Sequence, residues 1–283
     1  MVKKFLVGAL TAVLMVEGVI ATTATSEAAK APKAKYTYSF DKADKNLVAV
    51  GHKKEDSQTG KPVDPGAPTK VSKKIQLKKG KKGKALYLDR TYGVKLNNMK
   101  LKAKKYTIAF WVKTDSTMSD AMPIFFAGNE SVADENTKWF SVTKQAWLGT
   151  DHSPVVWSHN GAKGEFPWTS DISEPFDNMI VPDNGWLHIA ITVGKEYGDA
   201  GKVTEYMTKG DDGYTKGNNC VIYVNGELYG TGTPVANDIF DGKETAYLGI
   251  NYWDTKFKGY IDELKIYNKA LSEEQVQAVM KGK

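Results

Sequence analysis

An intrachain disulfide is excluded, because the sequence of 283 residues contains a single cysteine, Cys220. Rigidity must therefore come from the apolar core or from a bound metal ion, and a chain of this length can bury a sizeable core without cross-links. Cys220 opens the apolar run CVIYV, and the sequence suggests no histidine close to it. We therefore expect a buried, unreactive thiol rather than a catalytic nucleophile.

Long hydrophobic stretches are also scarce. The one strongly apolar run, residues 5–16, follows Lys3 and Lys4 and is too short to cross a bilayer comfortably. Small residues follow the run, and Glu17 interrupts it, which disfavours a retained membrane anchor. The pattern predicts a secretory signal peptide over residues 1–29 and one mature domain over residues 30–283. We expect the protein to be secreted and extracellular, or associated with the cell surface.

Two common kinds of catalytic centre have no support in the sequence. The four histidines lack the spacing of a zinc site, and no G-x-S-x-G sequence is present. His188 lies in an alternating, strand-like segment, where a residue of the sheet is more common than a metal ligand.

Strand-like segments recur along the chain, whereas helical periodicity is almost lacking. In residues 106–113, the alternation predicts that Ile108, Phe110 and Val112 face the core. Residues 187, 189, 191 and 193 follow the same pattern. Between two further strand-like runs, Asn225-Gly226 predicts a type I′ hairpin, because both central residues of that turn need a positive φ angle.

The C-terminal segment predicts a last strand and the only clear helix. Residues 260–267 alternate imperfectly between apolar and polar, as in a strand buried mainly on one face. Ser272 and Gln275 then have the spacing of a capping box, with Leu271 and Val276 as its hydrophobic staple. Together these patterns predict an all-β fold, a two-sheet antiparallel β-sandwich. We expect the short C-terminal helix, residues 272–280, to dock on a sheet edge or on the convex face.

Seven short segments carry a resemblance to a known family. They lie at residues 39–41, 83–89, 106–113, 185–190, 222–226, 248–249 and 257–263. In their order they resemble the laminin G-like domains of secreted bacterial proteins, within the concanavalin A-like lectin/glucanase superfamily. The resemblance implies a jelly roll with one concave sheet, and ligands held on the concave face or its rim loops.

The same superfamily includes glucanases, which carry an E-x-D-x-x-E strand so that two carboxylates flank one sugar. This sequence lacks such a run, and its adjacent Asp262 and Glu263 are expected to point to opposite faces. We therefore favour a non-catalytic, lectin-like protein that binds a poly- or oligosaccharide. The alternatives are a glycoside hydrolase or lyase on the same fold, and a surface adhesion or structural protein whose partner is another protein.

Aromatic and short polar residues concentrate in residues 116–184, and sugar recognition needs both flat apolar rings and fixed polar groups. We predict that an oligosaccharide stacks on the concave face. We expect this ligand to be neutral, because residues 116–184 hold no concentration of lysine or arginine that would select an anion. The predicted ligand-binding residues are Trp147, Asp151, His152, Trp157, Asn160, Trp168, Asn251 and Trp253. The alternative is that several tryptophans fill the core; we expect this for Trp111, Trp139 and Trp186, and Trp157 fits either interpretation.

The family resemblance also implies a structural calcium ion away from the ligand face. Mapped by motif, its ligands would be Asp41, a carbonyl at Gly83, and Asp262. Calcium prefers six to eight oxygen ligands, which carboxylates, carbonyls and water supply. The alternative is that Asp41 merely ends a strand and Asp262 caps a turn.

Positive charge is concentrated in residues 70–84, which hold eight of the lysines of a chain with net charge +6. Contact with anionic cell-wall polymers or nucleic acid is one interpretation. We favour the other, a solvated strand pair with its turn at residues 79–83, and we expect no nucleic-acid partner because aromatic residues are not interleaved with these lysines.

Overall fold

Strands dominate the fold, which was analysed in a computed structural model. The structure describes residues 30–114, 122–128, 138–145, 153–160, 168–169, 185–194, 220–232 and 239–282. The predicted signal peptide lies outside these residues. No helix within the described ranges is long and apolar enough to cross a membrane.

The first sheet, sheet 1, contains eight antiparallel strands. They are β1 (Tyr36–Tyr38), β4 (Gln76–Lys79), β5 (Lys84–Asp89), β8 (Tyr106–Thr114), β13 (Leu187–Val193), β14 (Cys220–Val224), β15 (Glu227–Gly232) and β18 (Lys258–Tyr267). Their order across the sheet is β15-β14-β13-β8-β18-β5-β4, and β1 also pairs with β18. The last strand of the chain therefore lies inside the sheet.

Sheet 2 also has eight strands. They are β2 (Leu47–Gly51), β3 (Thr69–Lys70), β6 (Gly93–Leu96), β9 (Met122–Gly128), β10 (Lys138–Gln145), β11 (Ser153–Asn160), β12 (Trp168–Thr169) and β17 (Thr245–Leu248). Their order is β12-β11-β10-β9-β17-β6-β2-β3. A separate two-stranded ribbon joins β7 (Lys102–Ala103) to β16 (Phe240–Asp241). The predicted antiparallel sandwich is confirmed.

The main core lies between the two sheets. Phe110 and Ile191 from sheet 1 and Phe125 and Phe140 from sheet 2 are each at most 1% exposed and belong to one apolar cluster. The inward faces predicted for β8 and β13 are confirmed, because the alternating apolar residues of both strands lie in this cluster. Cys220 joins them and is 1% exposed. Burial raises the pKa of its thiol far above the usual range, as expected for an unreactive cysteine.

The imperfect alternation of the last strand has a structural cause. The register of β18 against β8 shifts between Asp262 and Lys265, which marks a β-bulge, and Glu263 has a φ angle of 48°. Asp262 pairs with Trp111 on the outer side of sheet 1, while Ile261 and Leu264 enter the core. The bulge accommodates one extra residue, so the apolar residues of β18 face the core on both sides of it.

The predicted hairpin and helix both form. Asn225 and Gly226 have φ angles of 53° and 85°, as a type I′ turn requires. The helix α1 (Glu273–Lys281) begins after Ser272, whose hydroxyl accepts from the Gln275 N–H in a complete capping box. Buried Leu271, Val276 and Val279 belong to an apolar cluster with Tyr223 and Tyr267 of sheet 1. The helix is therefore docked on the outer face of that sheet.

Trp111 lies outside the core, so the expectation that it fills the core is wrong; Trp186 is buried as expected, although it does not belong to the cluster between the sheets. Residues of β8 alternate, and because Phe110 and Val112 point inward, Trp111 points outward. The Trp111 ring is half-buried and meets His188 edge-on at a centroid distance of 5.2 Å. Trp186 is 7% exposed and its ring lies 6.0 Å from that of Tyr260.

His188 makes the stability of the domain depend on pH. Its side chain is buried, Nδ1 has no hydrogen-bond partner among the described residues, and burial lowers its pKa to about 3. In the unfolded chain His188 takes up a proton near pH 6.5, so acid favours unfolding.

We expect a His188→Gln variant to lose part of this pH dependence. One histidine with a depressed pKa lowers the free energy of unfolding by up to about 1.4 kcal/mol for each unit that the pH falls, between roughly pH 6.5 and its folded pKa. Between pH 6 and pH 4, urea unfolding should show the wild type losing about 2 kcal/mol more than the variant. If the free energies of unfolding of the wild type and of His188→Gln fell in parallel with pH, this assignment would be contradicted. His52→Gln is the control, because His52 is less buried.

Candidate functional site

An aromatic cluster covers the outer face of sheet 2. It comprises Phe126, Trp139, Tyr247, Tyr252 and Trp253, packed with Ile250. Alternation along β9 explains its origin, because Phe125 enters the main core and Phe126 takes the opposite face. Ring centroids lie 4.8 Å apart for Phe126 and Tyr252 and 4.9 Å apart for Trp139 and Trp253. The cluster forms a second, smaller core on this face.

Trp253 is the exposed member of the aromatic cluster. Its ring is half-buried, whereas the other four aromatic residues are at most 6% exposed. The burial expected for Trp139 is confirmed, although in this cluster rather than in the main core. Trp253 leans edge-on against Phe126 at 5.7 Å and against Tyr252 at 5.9 Å. A ring held this firmly can accept a flat apolar ligand without losing further side-chain entropy.

Polar groups lie beside these rings. The Ser141 and Thr143 hydroxyls are 2.9 Å apart, both side chains are 1% exposed, and Ser141 is in register with Phe126. The His159 ring stacks on Trp139 with a centroid distance of 6.4 Å. Sequence reasoning did not select Ser141, Thr143 or Phe126 for the site. The alternation of β9 and β10 shows which of their residues share a face, but it identifies these residues as outer ones only after the inward face is known.

The structure brings some predicted site residues towards this face and leaves others undescribed. Trp147, Asp151 and His152 lie outside the described residues. In the backbone register, Trp157 pairs with Ser141 and Trp168 pairs with His159, next to cluster positions. Asn160 pairs with Lys138. The side chains of Trp157, Asn160 and Trp168 are outside the described part, so their role as sugar ligands stays a prediction.

Asn251 holds the turn that carries Trp253. Its Oδ1 accepts hydrogen bonds from the N–H groups of Trp253 at 3.1 Å and Asp254 at 2.8 Å, and its Nδ2 donates to the Asp254 carboxylate at 2.7 Å. The side chain is only 1% exposed. Its described contacts therefore position Trp253; a direct contact with sugar stays a prediction.

A partly buried ion pair anchors the same loop to the segment after β2. Lys256 Nζ contacts Glu55 Oε1, and Lys256 is 3% exposed. The Thr255 hydroxyl donates to the Thr59 carbonyl at 2.8 Å, and the Gly66 N–H donates to the Tyr252 carbonyl at 3.0 Å. His52 lies close enough to feel both charges, and burial lowers its pKa. Because Lys256 is buried, loss of the Glu55 contact would leave its charge without this partner, so these contacts favour one conformation of the loop.

The predicted metal ligands meet at the turn between β4 and β5. Asp41 Oδ1 accepts from the Lys84 N–H at 3.0 Å, and Asp262 Oδ2 accepts from the Lys82 N–H at 2.9 Å. Gly83 has a φ angle of 58°, and a Cβ at this position would overlap Asp41 Oδ1. Only glycine therefore allows the carboxylate to approach the turn so closely. The Gly83 carbonyl accepts from the Gly80 N–H at 3.0 Å.

The electrostatics of this turn are compatible with a hard cation. Asp262 is fully buried, and burial raises its pKa to about 6 although three backbone N–H groups donate to it. The Asp41 pKa is lowered, mainly by the Lys84 N–H. Across the described ranges, no three His, Cys, Asp or Glu side chains gather around one point. A calcium ion here would therefore need carbonyl oxygens and water besides two carboxylates, a donor set that calcium accepts.

Comparison with known proteins identifies the family. A laminin G family model, described as the concanavalin A-like lectin/glucanases superfamily, matches residues 88–207 and 213–277. The chain belongs to this superfamily. No curated protein matches the sequence.

Several solved structures are similar to this chain. One is domain 4 of AbnA, a GH43 extracellular arabinanase from Geobacillus stearothermophilus, in complex with arabinotriose. It is 24% identical, with a TM-score of 0.60 over 88% of this chain and 98% of that one. Another is a sialidase CBM40 from Ruminococcus gnavus, bound to α2,3-sialyllactose. It is 15% identical, with a TM-score of 0.43 over 74% of this chain and all of that one. At 24% identity the likeness to the arabinanase domain concerns the fold alone.

An Asn251→Ala variant tests how the Trp253 turn is held. The change removes two accepted hydrogen bonds and one donated bond and leaves the Asp254 carboxylate without this partner. We expect a loss of about 2 kcal/mol in the free energy of unfolding, measured by urea denaturation. Asn97→Ala, at an exposed turn, is the matched control and should change stability by less than about 0.5 kcal/mol. Equal stability of the two variants would show that the turn does not depend on Asn251.

Proposed function

We propose that this protein is secreted and binds a poly- or oligosaccharide on the outer face of sheet 2 without cleaving it. The observation that carries the proposal is Trp253, a half-exposed ring backed by four buried aromatic residues and fixed by the Asn251 turn. Sugar C–H faces stack on such rings, and neighbouring polar groups orient the hydroxyls. This face would be the concave ligand surface that the family resemblance implies.

A neutral oligosaccharide is the ligand class to test first. The arabinanase domain that shares the fold was solved with arabinotriose, which carries no charge. In the Trp253 loop, the one lysine, Lys256, is almost fully buried and paired with Glu55, so it offers no free ammonium group to an anion. Binding at a single site should be weak, because an open face removes only part of a glycan from water.

Catalysis is the second candidate function, and the carboxylates near Trp253 argue against it. A glycosidase needs one carboxylic acid and one carboxylate placed across a sugar. Glu55 contacts Lys256, and Asp254 accepts from Asn251, so each of these two carboxylates has a structural partner. A reducing-sugar assay on bound polysaccharides should detect no release. Adhesion to a protein partner is the third candidate, and a glycan array that finds no ligand would favour it.

Replacing Trp253 tests the glycan site. Trp253→Ala should weaken binding to arabino-oligosaccharides and to any neutral array hit by about fivefold, because one stacking contact is worth about 1 kcal/mol. Trp253→Phe should restore part of the affinity. Isothermal titration calorimetry measures binding, and circular dichroism checks the fold.

Trp111→Ala is the matched control, since Trp111 is also half-buried but lies on sheet 1. Trp157→Ala and Trp168→Ala extend the test along the register of β11 and β12. Unchanged binding in Trp253→Ala with an intact fold would exclude this face as the site. Unfolding of Trp253→Ala and Trp253→Phe alike would assign Trp253 to the core.

A structural calcium ion at the β4–β5 turn is the cofactor that we propose, with Asp41, the Gly83 carbonyl and Asp262 among its ligands. Its support is the fully buried Asp262 carboxylate beside a turn that Asp41 also contacts. The ion would neutralise Asp262 and link both ends of the sequence in a domain that lacks disulfides.

Calcium at about 100 times its dissociation constant should stabilise the wild type by about 2.7 kcal/mol. A chelator should remove this gain, and Asp262→Asn should abolish it. The exposed Asp64→Asn variant, which removes the same charge, should respond like the wild type. Melting temperatures that are indifferent to both calcium and chelator would show that the site is absent.

A further inference from the structure

A second surface with a defined chemistry lies on the outer face of sheet 1. We call it the lysine face; it consists of Lys78 and Lys81 of the β4–β5 hairpin with Tyr87 and Trp111, and the exposed Lys79 adjoins it on the edge strand. Although the sequence does not interleave aromatic residues with these lysines, the fold does. Lys78 Nζ lies 3.3 Å from the Tyr87 ring centroid, and Lys81 Nζ lies 4.3 Å from that of Trp111.

The rings under these lysines are themselves fixed. Tyr87 is 8% exposed and its ring lies 4.8 Å from that of Tyr260, while Trp111 meets the His188 ring. A cation over an aromatic face is attracted by the negative potential of the ring. The two ammonium groups are therefore held above the sheet rather than spread through solvent, which lowers the entropy lost when an anion binds.

The lysines of this surface form no salt bridge with the described carboxylates. Residues 70–84 contain eight lysines and no aspartate or glutamate. Lys78, Lys79 and Lys81 are exposed, and none of them forms a salt bridge with a described carboxylate. By contrast, Lys256 and Lys265 are each paired with a glutamate. An excess of unpaired, like charges in one place attracts a polyanion and accelerates its association.

We infer that the lysine face binds an acidic polysaccharide, a linear glycan that carries a carboxylate on its repeating units. This surface lies on the sheet opposite to the proposed neutral-glycan face, so the two sites are independent. Lysine favours this ligand class because a single ammonium group pairs with a carboxylate without the fixed two-point geometry of arginine. Single-stranded nucleic acid is less well suited, since the Tyr87 and Trp111 faces that a base would stack on each carry a lysine.

Edge protection is the competing explanation for part of this charge. β4 is an edge strand of sheet 1, and lysines on an edge strand discourage pairing with a second chain. Protection requires charges along the edge but does not require ammonium groups to be fixed over rings of neighbouring strands. A binding experiment separates the two explanations.

The experiment uses the full protein and immobilised polygalacturonate at several ionic strengths. A triple variant, Lys78→Gln, Lys79→Gln and Lys81→Gln, is compared with a control that removes the same charge elsewhere, Lys100→Gln, Lys102→Gln and Lys104→Gln. We expect wild-type retention to fall as salt rises, and the hairpin variant to bind at least about tenfold more weakly than the control. Trp253→Ala should bind polygalacturonate like the wild type.

Three results would overturn the inference. Equal losses in both triple variants would show that only net charge matters, and no retention of the wild type would leave edge protection as the explanation. Tighter binding to single-stranded DNA than to polygalacturonate at equal ionic strength would make nucleic acid the ligand. Because the Trp253 variants report on sheet 2 and the lysine variants on sheet 1, failure of either proposal is distinguishable from failure of the other.

Discussion

The antiparallel pairing of β18 with β8 controls the arrangement of both outer faces. Their register places Tyr260 and Asp262 on the outer side of sheet 1 and sends Ile261 into the core. The loop that joins β17 of sheet 2 to β18 carries Trp253, while the chain that follows β18 becomes α1. A shift of one residue in this pairing would exchange the faces of β18 and displace the Asp262 contact with the β4–β5 turn.

Patterns within single strands were sufficient to predict most of the fold. The alternation of β8 and β13, the Asn225-Gly226 turn and the Ser272 capping box depend on neighbours in sequence, and local physics decides them. Which face of a strand is inward is a different question where both faces are apolar. Phe125 and Phe126 are adjacent and both fully buried, and only pairing with β10 and β17 decides that Phe126 joins the outer cluster. Trp111 was expected in the core from its residue type, although the alternation of β8 already placed it on the face opposite to Phe110.

The candidate site was less accessible to sequence reasoning, because contacts between distant segments build it. Trp253 could be selected from its position beside turn residues. The ion pair of Lys256 and Glu55 joins residues 201 positions apart, and no local sequence pattern predicts it. Asn251 was chosen as a sugar partner from its residue type, whereas its described hydrogen bonds order the turn. The lysines of residues 70–84 were visible as charge, but their contact with Tyr87 and Trp111 required the hairpin to fold back over the sheet.

The position of β18 inside sheet 1 has a consequence for the order of folding. β18 is the last strand along the chain, yet it pairs with β1, β5 and β8. Sheet 1 therefore cannot close before the C-terminal residues have been synthesised, and contacts between such distant segments form slowly. Until β18 has been synthesised, β5 and β8 lack the strand that lies between them, so the two halves of sheet 1 cannot join. Each half would meanwhile present an unpaired strand edge to other chains.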